Sequence, residues 1–372
     1  MSSIAFIIPD MSMGGAQRSL IKLANLLAQN SHGVTVLCLG KADDSMRLEI
    51  HASIDLVCFA SSSSANPMLI FKLWRRIRSL KLDTLVGWSM YANFAAVLVG
   101  RLAGVSRIII SERNYLPQML ASDENTPLRR HVLGVLVRWL YPRATMITAN
   151  AALSLRFLRR YLRSSNEFRH LPNVVDTDTF DHLAMGELPA GLPDSDTHPR
   201  IVALGRLHHQ KGFDILIGAM TRVAELHDWH LVLAGDGPQE SELREMTKLG
   251  GLDGRVHFVG KVTNPFPLYR WADVVVVPSR YEGFPNVPME AMSIGAAVIV
   301  ADCRSGPREL SCDGQFARLV PVGDERALAA AIIDMGAHLP TARRLGLAAR
   351  EHVQTCYGRK HIESVYLDVF RP

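Results

Sequence analysis

Two glutamates, Glu282 and Glu290, stand eight positions apart in "SRYEGFPNVPMEAM" (279–292), with Gly283, Pro285, Asn286 and Pro288 between them. Neither Gly283 nor Pro285 suits a helix interior. The pattern therefore predicts a turn holding Glu282 and a helix starting near Pro288, with Glu290 on its first turn. A helix start offers unpaired N–H groups and the positive end of the helix dipole. Gly283 lets a ligand approach the backbone, and carboxylates accept hydrogen bonds from hydroxyls. The combination suits polyhydroxyl groups flanking a phosphate. The plainer alternative is that Glu290 complements the dipole and Glu282 is a solvated loop charge.

A second segment, "ALGRLHHQKGFDIL" (203–216), sets Arg206 and Lys211 around a turn that leads into an apolar-periodic stretch. Arginine grips a diphosphate as a fork and lysine as a point charge; two solvated cations are the alternative. In a third segment, "IIPDMSMGGAQRSL" (7–20), Gly14 and Gly15 follow one apolar run and precede a helical one. This is either a phosphate or sugar approach loop or an ordinary turn. Neither it nor "AGDGPQE" (234–240) has the third glycine of a dinucleotide fingerprint, which disfavours a dehydrogenase.

Each of these segments follows an apolar run. Runs at 4–9, 34–39, 83–88, 107–111 and 144–150 read as strands, and 16–29, 67–80, 91–103, 127–141 and 151–162 as the helices among them. The series restarts with strands at 200–207, 230–237, 256–262, 273–279 and 296–303 and helices near 213–226, 239–249 and 288–294. Nearly continuous apolar strands alternating with helices imply parallel sheets covered on both faces. "MGELPAGLPDSDTHPR" (185–200) has the composition of a linker or surface loop. The expected fold is α/β, two doubly wound Rossmann-like domains facing across a cleft, with ligands outside the carboxyl ends of the strands. The boundaries are set at 1–172 and 173–357, with a C-terminal helix at about 358–372 returning to the first domain.

Taken together, these segments resemble the retaining glycosyltransferases of family 4, which have the GT-B architecture. "MSMGGAQRSLIKLANLLA" looks like that family's first loop and helix, and "LPNVVDTDTF" (171–180) like its interdomain segment. "GRLHHQKGFDILI" is similar to its basic diphosphate loop, and "EGFPNVPME" to its E-x7-E motif. The resemblance implies a UDP- or GDP-sugar donor, a saccharide or lipid-linked acceptor, no cofactor and no metal. It implies that Glu290 holds the ribose, Glu282 faces the donor sugar, and Gly283, Phe284, Asn286 and Val287 line sugar and phosphate. Arg206 and Lys211 would neutralise the departing diphosphate, and Gly14, Gly15 and Arg18 would contact substrate. The chain departs from the family at "IIISERNYLP", where Arg113 stands in place of a common histidine. Arginine stays protonated and cannot act as a base; it is left as a binder of phosphate, sugar or anionic acceptor, or as a surface partner of Glu112.

The formal net charge of +5 suits an anionic ligand or surface. Two basic amphipathic stretches, 66–82 with Trp74 and 128–144, are candidates for contact with an anionic membrane, or else cover the sheet. No aromatic-interleaved basic motif favours nucleic acid. Five scattered cysteines fit reduced thiols in a cytoplasmic protein, and no run suggests a signal peptide or membrane span. The expected location is the cytoplasm, with the inner face of the cell membrane as a place of work. Two other readings stay open: a nucleotide-sugar epimerase on the same architecture, and a non-enzymatic basic protein binding membranes or nucleic acid.

Overall fold

The computed structural model describes residues 2–12, 14–61, 66–121, 126–193 and 198–371, and of Ser45 the backbone alone. Residues 194–197 of the expected linker, Met13 of the first loop and Pro372 of the expected C-terminal helix lie outside the described residues. The chain forms two compact units, Met1–Val174 with Ile362–Pro372, and Val175–His361.

The first unit alternates β1 (Ser3–Ile8), α1 (Gly15–Gln29), β2 (Gly33–Cys38), α2 (Asp44–Leu48), β3 (Asp55–Cys58), α3 (Pro67–Leu80), β4 (Thr84–Trp88) and α4 (Met90–Ala103). It continues with β5 (Arg107–Glu112), α5 (Leu116–Ala121), α6 (Pro127–Leu140), β6 (Met146–Ala149), α7 (Ala152–Leu162) and β7 (Glu167–His170). The strands pair in parallel in the order β3-β2-β1-β4-β5-β6-β7. Side chains of a strand alternate between faces, and both faces are buried here. Ala5 and Ile7 enter the core beneath α3, α4, α6 and α7. Ile4, Phe6 and Ile8 enter a second core on the other face with α1. α3 and α6 start on matching signals: Asn66 accepts from the Met68 N–H at 2.9 Å and Thr126 from the Arg129 N–H at 3.2 Å, each followed by proline at the first helical position.

The second unit contains α8 (Thr177–Leu183), β8 (Arg200–Leu204), α9 (Phe213–Ala224), β9 (His230–Ala234), α10 (Glu240–Leu249), β10 (Val256–Gly260), α11 (Phe266–Trp271) and β11 (Val274–Val277). α12 (Asn286–Ser293), β12 (Ala297–Ala301), α13 (Gly306–Leu310), β13 (Arg318–Val320), α14 (Glu325–Ala337) and α15 (Leu339–Tyr357) complete it. Its strands are parallel in the order β10-β9-β8-β11-β12-β13. A last helix, α16 (Arg359–Val369), places Ile362, Tyr366 and Val369 in the core beside α1 of the first unit. The architecture is the expected pair of doubly wound α/β domains.

Three strands lack the expected apolar runs. β3, β7 and β13 are edge strands, paired on one side only and partly solvated, so "DLVC", "EFRH" and "RLV" carry polar residues. α14 is absent from the expected helices although its signals are local: Asp324 accepts from the Ala327 N–H at 2.9 Å, and Leu328, Ile332 and Met335 repeat on its buried side. α12 begins at Asn286 rather than near Pro288, which moves Glu290 from the first turn into the second. The amphipathic stretch 66–82 is largely a covering layer: Leu69, Leu73 and Ile77 are buried and Trp74 packs against them.

Strand alternation also corrects the Glu112–Arg113 surface pair. Glu112 shares a face with Ile108 and Ile110, and Arg113 follows the opposite face with Ile109; both are buried. Glu112 accepts from the Tyr141 hydroxyl at 2.7 Å, and Tyr141 in turn accepts from Asn93 at 3.1 Å. Burial outweighs these bonds and pushes the Glu112 carboxyl up to about 7 from its ordinary 4.5.

Folding therefore binds a proton at Glu112 between those two values. The stabilising contribution is complete below pH 4.5 and is lost as pH rises towards 7, by an amount on the order of 3 kcal/mol. In urea unfolding measured across this range, Glu112→Gln is expected to flatten that loss. Parallel pH profiles for the two proteins would show that the carboxyl is ionised in the fold.

Candidate active site

In the second sheet β8 lies between β9 and β11, so the chain reverses its direction of winding there. The loops leaving β8 and β11 are neighbours for that reason, and such a switch point leaves a crevice at the carboxyl ends of the strands. The first loop holds Arg206 and Lys211 and the second Glu282. Sequence separations of about 70 residues are thus closed by strand pairing.

The loop after β8 is anchored on β9: the Gly205 N–H donates to Ala234 O at 3.0 Å and the Leu207 N–H to Asp236 O at 2.7 Å. A short 3-10 turn, His209–Lys211, follows and is capped by the His208 ring. Gly212 then adopts φ 67°. A Cβ there would stand 2.3 Å from Pro278 O, so only glycine allows this loop to lie against the end of β11.

Polar bonds join the two loops. The Arg280 N–H donates to Gln210 O at 2.8 Å, and Gln210 Nε2 donates to Tyr281 O at 3.0 Å. The Arg280 guanidinium bonds His209 O at 2.9 Å and pairs with Asp214 at 2.5 Å. Burial raises the Asp214 carboxyl, but Arg280 outweighs this and holds it below the ordinary range. Lys211 Nζ lies 2.6 Å from Glu282 Oε1, which also accepts from Ser279 Oγ at 2.7 Å. Glu282 is only 8% exposed, so it is a paired, nearly buried group and not a solvated loop charge. A third loop, after β12, closes the set: the Gly306 N–H donates to Gly283 O at 2.8 Å and Cys303 Sγ to Ser279 O at 3.0 Å. Burial raises the Cys303 thiol pKa far above its ordinary value, so it stays neutral.

Glu290 sits in the second turn of α12, buried, and accepts from the Tyr269 hydroxyl at 3.2 Å. Asn286 and Val287 form the first turn and are half-buried. The Phe284 ring packs 5.0 Å from that of Tyr357, which leaves its backbone for any ligand contact. Arg206 differs from the rest: it is exposed and has no ion-pair or hydrogen-bond partner among the described residues. The strand-end loops therefore present the guanidinium groups of Arg206 and Arg304 without partners among the described residues, one ammonium neutralised by a carboxylate, and two buried carboxylate groups. Such a set can hold an anion at Arg206 and hydroxyls beside Glu282.

In the first unit, Gly14 is extended just before α1, and Asp10 accepts from the Ser12 N–H at 3.1 Å and from Gln17 Nε2 at 3.0 Å. Arg18 is half-buried, 3.9 Å from Glu49. The Arg113 guanidinium is buried; it donates to Ser19 Oγ at 2.9 Å, Leu171 O at 3.3 Å and Asn173 Oδ1, and lies 4.3 Å over the Trp88 ring. Burial lowers its pKa to about 10, so it is cationic at neutral pH. Ser19, Asn173, Ser279 and Tyr269 were not picked out from sequence. Ser279 stands three positions before Glu282 and Asn173 lies in the quoted "LPNVV" segment, whereas nothing local marks Tyr269.

Among the described residues one group has a metal-binding arrangement: His198, Asp228 and His230, with His198 Nδ1 2.8 Å from Asp228. It lies at the amino end of β9, away from the strand-end loops, and Arg255 already stands 3.4 Å from Asp228.

A model of "Glycosyl transferases group 1" matches residues 198–338 and a model of "Glycosyltransferase Family 4" residues 13–179. The lipopolysaccharide core biosynthesis glycosyltransferase LpsD of Rhizobium meliloti is 28% identical over 359 residues, covering 96% of this chain and 95% of its own. A Campylobacter jejuni protein named N-acetylgalactosamine-N,N'-diacetylbacillosaminyl-diphospho-undecaprenol 4-alpha-N-acetylgalactosaminyltransferase is 27% identical, covering 88% of each chain. Among solved structures, sucrose-phosphate synthase of Thermosynechococcus elongatus superposes with a TM-score of 0.85 at 22% identity, over 100% of this chain and 98% of its own. Anabaena HepE in complex with UDP-glucose does so with 0.79 at 19% identity, over 99% of each.

Gly212→Ala is expected to lower stability by at least about 1–2 kcal/mol, the cost of a left-handed residue with a Cβ, and to disturb the Lys211–Glu282 contact. Unchanged melting and unchanged activity in that variant would mean that the loop does not depend on this close approach.

Proposed function

Taking the chain as a glycosyltransferase of the GT-B fold, we propose that it belongs to the retaining enzymes of family 4. It moves a hexosyl unit from a UDP- or GDP-sugar to a saccharide or lipid-linked saccharide during synthesis of a cell-surface polysaccharide or glycolipid. The observation that carries this reading is the pair of strand-end loops in which unpaired Arg206 accompanies the Lys211–Glu282 contact, with Glu290 buried in the following helix. Support comes from the UDP-glucose held by HepE, and from the relatives named for lipopolysaccharide core and diphospho-undecaprenol saccharides.

In this reading Arg206 and Lys211 stabilise the negative charge that grows on the departing diphosphate. Glu282 orients the donor sugar through its hydroxyls, and Glu290 the ribose. The backbone of Gly283, Phe284, Asn286 and Val287 lines the phosphate and sugar. Gly14, Gly15 and Arg18 contact substrate from the first unit. The Arg113 guanidinium is engaged inside its unit, so the role proposed for it is to position the segment of Leu171 and Asn173 against α1.

Incubation with a panel of nucleotide sugars and saccharide acceptors tests the reading, with products followed by mass spectrometry and anomeric configuration by NMR. Retained configuration and acceptor-dependent release of nucleoside diphosphate are expected. An isomerised sugar formed without acceptor, or an inverted product, would overturn it.

Arg206→Ala and Lys211→Ala should each lower kcat by about 10²–10³, the loss seen when one stabilising donor is removed, with a smaller effect on melting. Near-normal turnover in both would remove them from the mechanism. Glu290→Gln should weaken binding of the bare nucleoside diphosphate in calorimetry, whereas Glu282→Gln should bind it normally and fail in transfer. Wild-type affinity in Glu290→Gln would refute the ribose assignment.

A further inference from the structure

Three histidines stand in a row at the amino end of the second sheet. His198 precedes β8, His230 opens β9 and His257 is the second residue of β10, and these strands are neighbours. Val232 pairs with His257, so alternation along β9 puts His230 and His257 on one face. The opposite face of the same strands sends Leu231, Leu233 and Val256 into the core. The histidine rings stack, His198 on His230 at 4.4 Å and His230 on His257 at 5.3 Å between centroids. All three are half-buried.

Asp228 brings a carboxylate to the same place. Its Oδ2 lies 2.8 Å from His198 Nδ1 and its Oδ1 4.0 Å from His230 Nε2. One ligand atom from each of these three residues lies within 4.8 Å of the others. Hydrogen bonds decide which nitrogen of His230 is free. The His257 ring donates to the backbone carbonyl of Gly254, and its Nε2 lies 3.0 Å from His230 Nδ1. His257 Nε2 is then the acceptor and His230 Nδ1 carries the hydrogen. The lone pair of His230 is left on Nε2, the nitrogen that faces Asp228. A histidine whose other nitrogen is held in this way is oriented as metal-bound histidines are. Arg255 stands 3.4 Å from Asp228 Oδ1, but its Nη1 is tied to Ala224 O at 3.1 Å and His227 O at 2.9 Å. It steadies one oxygen of the carboxylate and leaves Oδ2 for a cation.

We propose that His198, His230 and Asp228 form a site for zinc or a similar divalent transition metal, with His257 as the positioning residue of His230. Imidazole nitrogen and carboxylate oxygen bind zinc at about 2.0–2.2 Å, which in a tetrahedron sets ligand atoms roughly 3.3–3.5 Å apart. The separations of 2.8 and 4.0 Å bracket that value. Metal binding replaces the hydrogen bond between His198 and Asp228 and moves the His198 hydrogen to Nε2, and water takes the fourth position. Magnesium and calcium, which take about six to eight oxygen ligands, do not suit this set. The metal joins the segment before β8 to the start of β9, so it acts on the stability of the second unit. It lies at the opposite end of the strands from Arg206 and Glu282. The proposal therefore needs neither donor nor acceptor, and it can fail without the transferase reading, or the reverse.

The test uses the full chain, free of any histidine tag and stripped of metal with a chelator. In calorimetric titration Zn2+ is expected to bind as one ion per chain. At roughly a hundred times its Kd it should raise Tm by about 5–10 °C, whereas Mg2+ should not. Co2+ in its place should give the visible absorption of a tetrahedral ion, without the near-ultraviolet thiolate band that a cysteine ligand adds. His198→Ala and Asp228→Asn should each abolish the rise in Tm, with unchanged circular dichroism, because both residues lie outside the strands. His257→Phe should keep the site and weaken Zn2+ binding roughly 10–100-fold. Absence of Zn2+ binding, a thiolate band in the wild-type Co2+ spectrum, or wild-type affinity in both His198→Ala and Asp228→Asn would overturn the proposal. The wild-type spectrum decides the matter even where a variant fails to fold.

Discussion

The constraint on which the rest depends is the burial of both faces of each parallel sheet. A strand such as β11, four valines buried on all sides, has no room for a charged side chain along its length. Polar chemistry is confined to the strand ends, and strand order decides which ends are neighbours. In the second unit the pairing of β8 with β11 sets 205–212 against 278–285. Every contact among Arg280, Gln210, Lys211 and Glu282 is a consequence of that pairing.

Charge is distributed unevenly within that set. Lys211 with Glu282, and Arg280 with Asp214, are pairs that join the two loops, and each is partly withdrawn from water. A paired charge in such a place contributes less to stability than its short distance suggests, since desolvation offsets much of the attraction. It does determine which loop conformation is compatible with burial, because removing one partner would leave the other uncompensated. Arg206 carries its charge outward with no partner among the described residues. The neighbouring pairs fix the geometry of the loops around it.

The first unit shows the same physics applied to different ends. β5 runs into two consecutive polar residues, and strand alternation sends Glu112 to Tyr141 on one face and Arg113 to Trp88 on the other. One ends as a carboxyl held near neutrality by burial, the other as a cation tied to Ser19 and Asn173. α3, α4, α6 and α7 carry no acidic residue of their own, and Arg76 finds its carboxylate outside them, at Asp55 2.6 Å away.

The sequence by itself determined the two doubly wound series, since continuous apolar strands and capped helices are local patterns that each segment carries alone. It also determined the residue types at the strand ends, from Gly14 and Gly15 to Arg206, Lys211, Glu282 and Glu290. Three of the four edge strands were hidden because one-sided pairing permits polar residues, as in "EFRH", whereas the edge strand β10 kept a readable apolar pattern. Tertiary structure decided how those residues combine. That Lys211 meets Glu282, that Tyr269 supports Glu290, and that Arg113 is spent inside its unit all depend on which strands pair and which face a side chain takes. The sequence marked 66–82 and 128–144 as amphipathic, but periodicity alone does not say which side the sheet will claim; packing put Leu69, Leu73 and Ile77 inside. Contacts between residues far apart in sequence arise from pairing and packing of whole elements, and no short window of residues contains that information.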